Sequence, residues 1–94
     1  MRSDDVLNEQ FRATKYNVGY DQQEVDTFID RAVDTLRKYE QGNIPTEPLL
    51  TAQKVDSARF TPTKFREGYD QEDVDTFLDR LSDVFQAHER DHQQ

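Results

Sequence analysis

The sequence predicts an all-α fold in which one helical module occurs twice. Shifting the chain by 49 positions aligns residues 11–31 with residues 60–80, and 13 of these 21 aligned pairs are identical. In each copy, apolar side chains then recur every three to four positions, which is the period of an amphipathic helix. Hydrophobic residues make up 33% of the 94-residue chain. A core built from this composition must be thin, and a chain of 94 residues is too short for two independent domains.

Each copy is expected to begin with a short helix, near position 3 in the first copy and near position 51 in the second. Val6 and Val55 are the predicted apolar contacts of these helices, and Phe11 and Phe60 are expected to close them. The short helices therefore occupy equivalent places in the two repeats.

A loop of about nine residues follows each short helix and leads into a long one. The loops end at Gly19 and Gly68, where we expect a sharp turn that tolerates positive φ. Asp21 and Asp70 are good N-cap residues for the long helices. Glu24, three positions after Asp21, can complete a capping box.

One face of each long helix is apolar and the opposite face is charged. A single apolar face buries too few side chains to be stable alone, so we expect the two faces to pack on each other. The predicted interface consists of Val25, Phe28, Ile29, Ala32, Leu36, Val74, Phe77, Leu78, Leu81 and Phe85. The result would be a pseudo-symmetric helical bundle or a short coiled-coil-like pair. Periodicity allows parallel pairing, antiparallel pairing and a homodimer that exchanges halves.

The predicted organisation is two repeats with a linker between them. Residues 3–40 form the first repeat and residues 50–89 the second. Residues 41–49 contain glycine and two prolines, which cannot continue a helix and so indicate a linker. Residues 90–94 are expected to be a disordered tail.

Composition argues against several classes of function. The formal net charge is −8, which argues against nucleic-acid binding because phosphate would be repelled. There is no cysteine, no stretch like a signal peptide and no run of membrane-spanning length. A cytoplasmic protein is the expectation. No catalytic set or phosphate-binding glycine loop is present, so we expect neither an enzyme nor a cofactor.

One aspartate pattern and one histidine pair resemble metal sites, but solvent-exposed helix faces explain both better. Aspartates recur every four residues from Asp26 and from Asp75, and His88 and His92 have a spacing that can bind zinc. The aspartates lack the glycine and the bidentate glutamate of a calcium loop. The histidines lack a third ligand. We therefore predict solvated helix faces and no metal.

Residues 60–80 contain an aromatic–basic pair, then Gly-Tyr-Asp, then Val-Asp-x-Phe-Leu, and residues 19–29 of the first copy match the second part of this pattern. The pattern resembles the N-terminal module of the bacterial DivIVA cell-division proteins. The resemblance implies a bacterial scaffold linked to cell division or polar growth. It also implies pairing through a parallel coiled coil and membrane contact through an aromatic and a basic residue at the loop tip.

Carried over to this chain, the resemblance places Phe65 and Arg66 at the tip of the second loop. The matching residues of the first loop are Tyr16 and Asn17, so the basic member is missing there. Two features depart from the family. One extra residue stands between the pair and Gly-Tyr, and the long C-terminal coiled coil is absent.

The charge of the loops supports weak contact with an anionic membrane. Arg12 and Lys15 lie in one loop, and Arg59, Lys64 and Arg66 lie in the other, so the loops are locally basic in an acidic chain. The predicted contact set is thus Lys15, Tyr16, Lys64, Phe65 and Arg66, at the inner face of the plasma membrane. In the alternative arrangement, Tyr16 and Phe65 fold inward while the basic residues neutralise nearby aspartates.

The partners expected from these features are the chain's own second repeat or a second copy, a division or polar-growth protein, and an anionic membrane. A soluble adaptor is the alternative function. Its acidic helix faces would bind a basic protein, and no membrane would be involved.

Overall fold

The computed structural model describes residues 1–43 and 50–91, and within them the fold is mixed α/β. The predicted all-α class is wrong because four short strands form an antiparallel sheet. The coiled-coil prediction is wrong as well, because the core is not a seam between the two long helices alone. Aromatic residues near the start of the long helices pack on Phe11 and Phe60 of the other repeat, and the short helices complete the core.

The two repeats contain the same elements in the same order. The first consists of α1 Ser3–Leu7, β1 Ala13–Thr14, β2 Gly19–Tyr20 and α2 Gln22–Glu40. The second consists of α3 Ala52–Asp56, β3 Pro62–Thr63, β4 Gly68–Asp70 and α4 Gln71–Asp91.

Every strand pair in the sheet joins one repeat to the other. The strand order is β1-β4-β2-β3, so strands of the first and second repeats alternate across the sheet. At its centre β2 and β4 pair with Tyr20 opposite Tyr69, and the outer strands add to them in antiparallel register. Neither repeat can form any part of this sheet without the other.

The long helices point in the same direction. Both begin directly after a central strand, at the sheet. Near their other ends the rings of Tyr39 and His88 stack with centroids 4.7 Å apart. These two residues are separated by the repeat shift of 49 positions, so they lie next to the pseudo-two-fold axis. Of the two pairing directions that the sequence left open, the structure has the parallel one.

Each short helix packs against the long helix of its own repeat. The backbone amide of Ser3 donates to the Glu40 carboxylate at 2.6 Å, and the amide of Ala52 donates to Glu89 at 2.8 Å. These bonds place the start of each short helix beside the end of the long one. The chain then runs back to the sheet, antiparallel to the long helix.

The core follows the apolar faces of all four helices. Leu36, Leu81 and Phe85 are fully buried at its centre, together with Val6 of α1 and Val55 of α3. Phe11 and Phe60 were expected to close their own short helices. Instead, each side chain packs on the other repeat. Phe11 packs on Tyr69 and Phe77, and Phe60 packs on Tyr20 and Phe28.

The structure describes only part of the predicted linker and of the predicted tail. Residues 41–43 follow α2, and the prolines of the linker lie outside the described residues. Helix α4 runs to Asp91, and the rest of the expected tail also lies outside them.

Candidate functional site

The most exposed large apolar side chains of the described residues lie in the two turns between strands. We call residues 15–18 loop one and residues 64–67 loop two. Tyr16 of loop one is 71% exposed, and Phe65 of loop two is 70% exposed. The inward arrangement of these rings, considered as an alternative from the sequence, is therefore not what the structure has.

Both loops lie at the same end of the molecule. Each connects two strands of the sheet, and the sheet lies at the N-terminal ends of α2 and α4. The molecule is 48 Å long and about 20 Å wide, whereas a 21-residue helix accounts for only about 31 Å of that length. The sheet and its loops extend the molecule beyond the start of the helices.

Each loop pairs its aromatic ring with a lysine. The Lys15 ammonium nitrogen lies 5.9 Å from the centre of the Tyr16 ring. The Lys64 nitrogen lies 5.3 Å from the centre of the Phe65 ring. Both distances are within the range of a cation–π contact. The two exposed lysines thus stay beside the two exposed rings.

Arg66 takes a different direction from Phe65. Its guanidinium donates to the Asp21 carboxylate at 2.9 Å, across the repeat boundary. The other oxygen of Asp21 caps α2 by accepting from the Glu24 amide at 3.0 Å, as the sequence predicted. Phe65 has a φ of 64°, a left-handed conformation that costs an aromatic residue roughly 1–3 kcal/mol.

Behind loop one, Arg12 holds the N-terminus of α4. Its guanidinium donates to Asp73 at 2.9 Å and to Asp70 at 3.4 Å. The hydrogen bond from Arg12 is the largest effect that lowers the pKa of Asp73, from 3.8 to about 2. This carboxylate therefore stabilises the fold at neutral pH, and the contribution is lost as the pH falls from about 4 to about 2.

Glu24 does not complete the predicted capping box. Its carboxylate instead accepts from the amide and the hydroxyl of Thr61, at 2.8 and 2.7 Å, in the other repeat. The amide of Asp21, which the capping box would have used, donates to the carbonyl of Thr61 at 2.9 Å. Local sequence signals identify Asp21 as the N-cap. They cannot show that Glu24 bonds to Thr61 of the other repeat.

The predicted interface residues lie in or beside the core. Seven are buried, and Phe28, Ile29 and Leu78 are partly buried against it. Leu50 and Tyr39 also belong to the core, although the helical pattern does not indicate them. Val18, 45% exposed next to the loop-one tip, was missed as a candidate contact residue. Its apolar character in a polar loop was the available signal.

Two of the aspartates and one of the histidines make structural contacts in the described part of the chain. Asp26 and Asp75 accept hydrogen bonds from Tyr69 and Tyr20. His88 stacks on Tyr39, while His92 lies outside the described residues. Among those described, no group of three or more histidine and acidic side chains could hold a metal ion.

None of the four helices in residues 1–43 and 50–91 combines the length and the apolar composition needed to cross a bilayer. Comparison with protein-family models, curated proteins and solved structures finds no match. The DivIVA resemblance, with the division role that it implies, therefore stays a prediction from the motif, and no relative supports it.

Proposed function

We propose that this protein is a non-enzymatic binding module whose two loop tips contact an anionic membrane surface. The observation that carries the proposal is the placement of Tyr16 and Phe65. Two aromatic rings, each about 70% exposed and each beside a lysine, stand at one end of an elongated molecule. Exposed apolar residues grouped in this way are typical of an interaction surface.

A membrane interface suits the chemistry of these tips. Aromatic rings favour the headgroup region of a bilayer, and basic residues are attracted by anionic lipids. We place the contact at the cytoplasmic face of the plasma membrane, because anionic lipids are concentrated in that leaflet.

The expected affinity is low. A basic residue near an anionic surface contributes roughly 1 kcal/mol. Taking an aromatic side chain fully out of water contributes about 1.5–3 kcal/mol, and a tip at the interface gains only part of this. Binding should therefore be reversible and sensitive to salt.

The net charge of −8 does not prevent such a contact. The aspartates on the outer faces of α2 and α4 lie along the sides of a molecule 48 Å long. The Debye length is about 8 Å at physiological ionic strength, so most of these charges are screened from a surface at the loop end. Closer to the loops, Asp21, Asp70 and Asp73 are paired with arginines, whereas Glu67 of loop two accepts a hydrogen bond from the Gln22 side chain at 3.4 Å.

Co-sedimentation with vesicles tests the proposal. The wild-type protein should pellet with phosphatidylserine-containing vesicles at low salt and stay in solution with pure phosphatidylcholine. Tyr16→Ala and Phe65→Ala should each weaken pelleting, and the double variant should abolish it.

Leu7→Ala is the matched control, because Leu7 is 50% exposed but lies on α1 and not in a loop. This variant should pellet like the wild type. The proposal fails if the wild type does not pellet with anionic vesicles, or if Leu7→Ala is as damaging as the loop changes.

One observation favours a second function, that of a protein–protein adaptor. The aspartates that recur along α2 and α4 are exposed, among them Asp30, Asp34, Asp79 and Asp83. They could hold a basic partner. A salt-sensitive partner whose binding is lost in Asp30→Asn/Asp34→Asn but not in Tyr16→Ala/Phe65→Ala would support this function instead.

A further inference from the structure

We infer that Lys15 and Lys64 provide the contacts to anionic headgroups, and that Arg66 is held by Asp21 and does not contact the lipid. The inference rests on the proposed function and assigns roles within that site. It differs from the expectation based on the aromatic–basic pair, in which Arg66 itself would reach the lipid.

The first argument is what the two loops have in common. Both contain a lysine directly before the exposed aromatic residue, and in both the lysine nitrogen stays within 6 Å of the ring centre. Loop one has Asn17 at the position of Arg66. If both tips meet one surface, the shared cation is the lysine.

The second argument is the direction of the side chains in loop two. The positive φ of Phe65 turns the backbone sharply at the tip. The Phe65 ring is left in solvent, and the next side chain, Arg66, reaches back to the start of α2 at 2.9 Å from Asp21. Arg66 therefore contacts the protein's own acidic residue, while Lys64 remains beside the ring.

The third argument is that Asp21 is itself fixed. Its carboxylate caps α2, and its amide is bonded to the carbonyl of Thr61 in the other repeat. The Asp21 side chain is only 22% exposed. An arginine bound to such an anchored carboxylate gives loop two a defined orientation relative to α2, even though the ion pair itself is exposed and weak.

Two variants that remove the same charge from the same loop test the assignment. Lys64→Gln and Arg66→Gln would be compared by equilibrium binding to phosphatidylserine–phosphatidylcholine vesicles, with circular dichroism to show that both are folded. Lys64→Gln should weaken binding about fivefold, the effect expected for one basic residue near an anionic surface. Arg66→Gln should weaken it less than twofold. Equal losses in the two variants would overturn the inference.

A double-mutant cycle tests whether Asp21 keeps Arg66 away from the lipid. Asp21→Asn removes the ion pair but keeps a good N-cap residue, so α2 is preserved. This variant frees Arg66 for lipid and should strengthen vesicle binding. In the Arg66→Gln background the same change should have a smaller effect. The same gain in both backgrounds would reflect net charge alone and would contradict the capture of Arg66 by Asp21.

The ligand source can be separated in the same assay. Inorganic phosphate and chloride, added at equal ionic strength, should release the protein from vesicles equally if the ligand is a lipid surface. Selective release by phosphate would overturn the lipid assignment. If the wild type does not bind vesicles in any of these conditions, the proposed function itself fails, which is distinct from binding without a difference between Lys64→Gln and Arg66→Gln.

Discussion

Gly19 and Gly68 lie at the centre of the sheet, where the two repeats come closest. A Cβ atom on Gly19 would lie 2.8 Å from the carbonyl oxygen of Tyr69, and one on Gly68 would lie 2.8 Å from that of Tyr20. Neither glycine has positive φ; in the described residues, Gly42 is the glycine that does. These positions therefore require glycine for the close approach of two backbones and not for the turn that the sequence suggested.

Gly68→Ala should lower the free energy of unfolding by about 1–3 kcal/mol, the usual cost of inserting a methyl group into a packed site. The carbonyl of Tyr20 is held in the sheet and cannot move aside cheaply. Chemical denaturation of the variant and the wild type measures the change. Asn17→Ala, an exposed substitution in loop one, is the control and should have little effect. An unchanged midpoint for Gly68→Ala would show that the strands are not as close as described.

Residue-level signals in the sequence were reliable where the partner is local. The Asp21 cap was predictable, because its partner is three residues away. The Arg12–Asp73 pair spans 61 positions. No local pattern indicates such a partner, and the equivalent position in the second repeat is occupied by Thr61.

At the scale of elements, tyrosines of the central strands fasten each repeat to the long helix of the other. The Tyr20 hydroxyl donates to Asp75 at 2.8 Å, and the Tyr69 hydroxyl donates to Asp26 at 2.7 Å. The pKa of each tyrosine is raised to about 12, mainly by burial and secondly by these hydrogen bonds. Both bonds require the protonated phenol, so they should break only in strong alkali.

Stability should therefore fall as the pH rises from about 10 to about 12. In this range the unfolded chain releases phenolic protons that Tyr20 and Tyr69 retain in the folded state, so deprotonation favours unfolding. An ultraviolet titration of the chain's four tyrosines should show late-ionising groups, and Tyr69→Phe should remove one of them. Ionisation of all four near pH 10 in the folded protein would contradict the two bonds.

The helices could be predicted from the sequence, whereas the strands could not. Long amphipathic runs with capping residues show a period of 3.6, and α2 and α4 follow it. The strands are two or three residues long, which is too short for alternation to be recognised. They are stabilised by pairing with the other repeat, so their hydrogen bonds depend on the assembled fold.

At the scale of the whole molecule, the alternating strand order makes the two repeats one cooperative unit. Leu36→Ala in α2 should cost about 2–5 kcal/mol, because Leu36 is fully buried. The loss should reduce amide protection in both repeats, including the strands next to α4. Hydrogen exchange measured residue by residue can test this. Loss of protection confined to residues 3–40 would show that the repeats unfold independently.

The duplication was sufficient to predict a pseudo-symmetric pair, because one apolar face cannot be buried alone. It could not decide the direction of the helices, and it did not indicate that the loops would carry a shared sheet. The resemblance and the local charge suggested exposed tips, but the sequence left open an arrangement in which Tyr16 and Phe65 fold inward. Their joint position at one end follows from the parallel arrangement, which only the structure gives.

The most direct test of the membrane proposal uses the absence of tryptophan from the chain. A single tryptophan introduced as Phe65→Trp or Tyr16→Trp would report the environment of each loop tip, and Leu7→Trp would report that of α1. With phosphatidylserine-containing vesicles, the emission of both loop variants should shift to shorter wavelength, while Leu7→Trp should be unchanged. No shift in either loop variant, or the same shift in all three, would contradict the proposal.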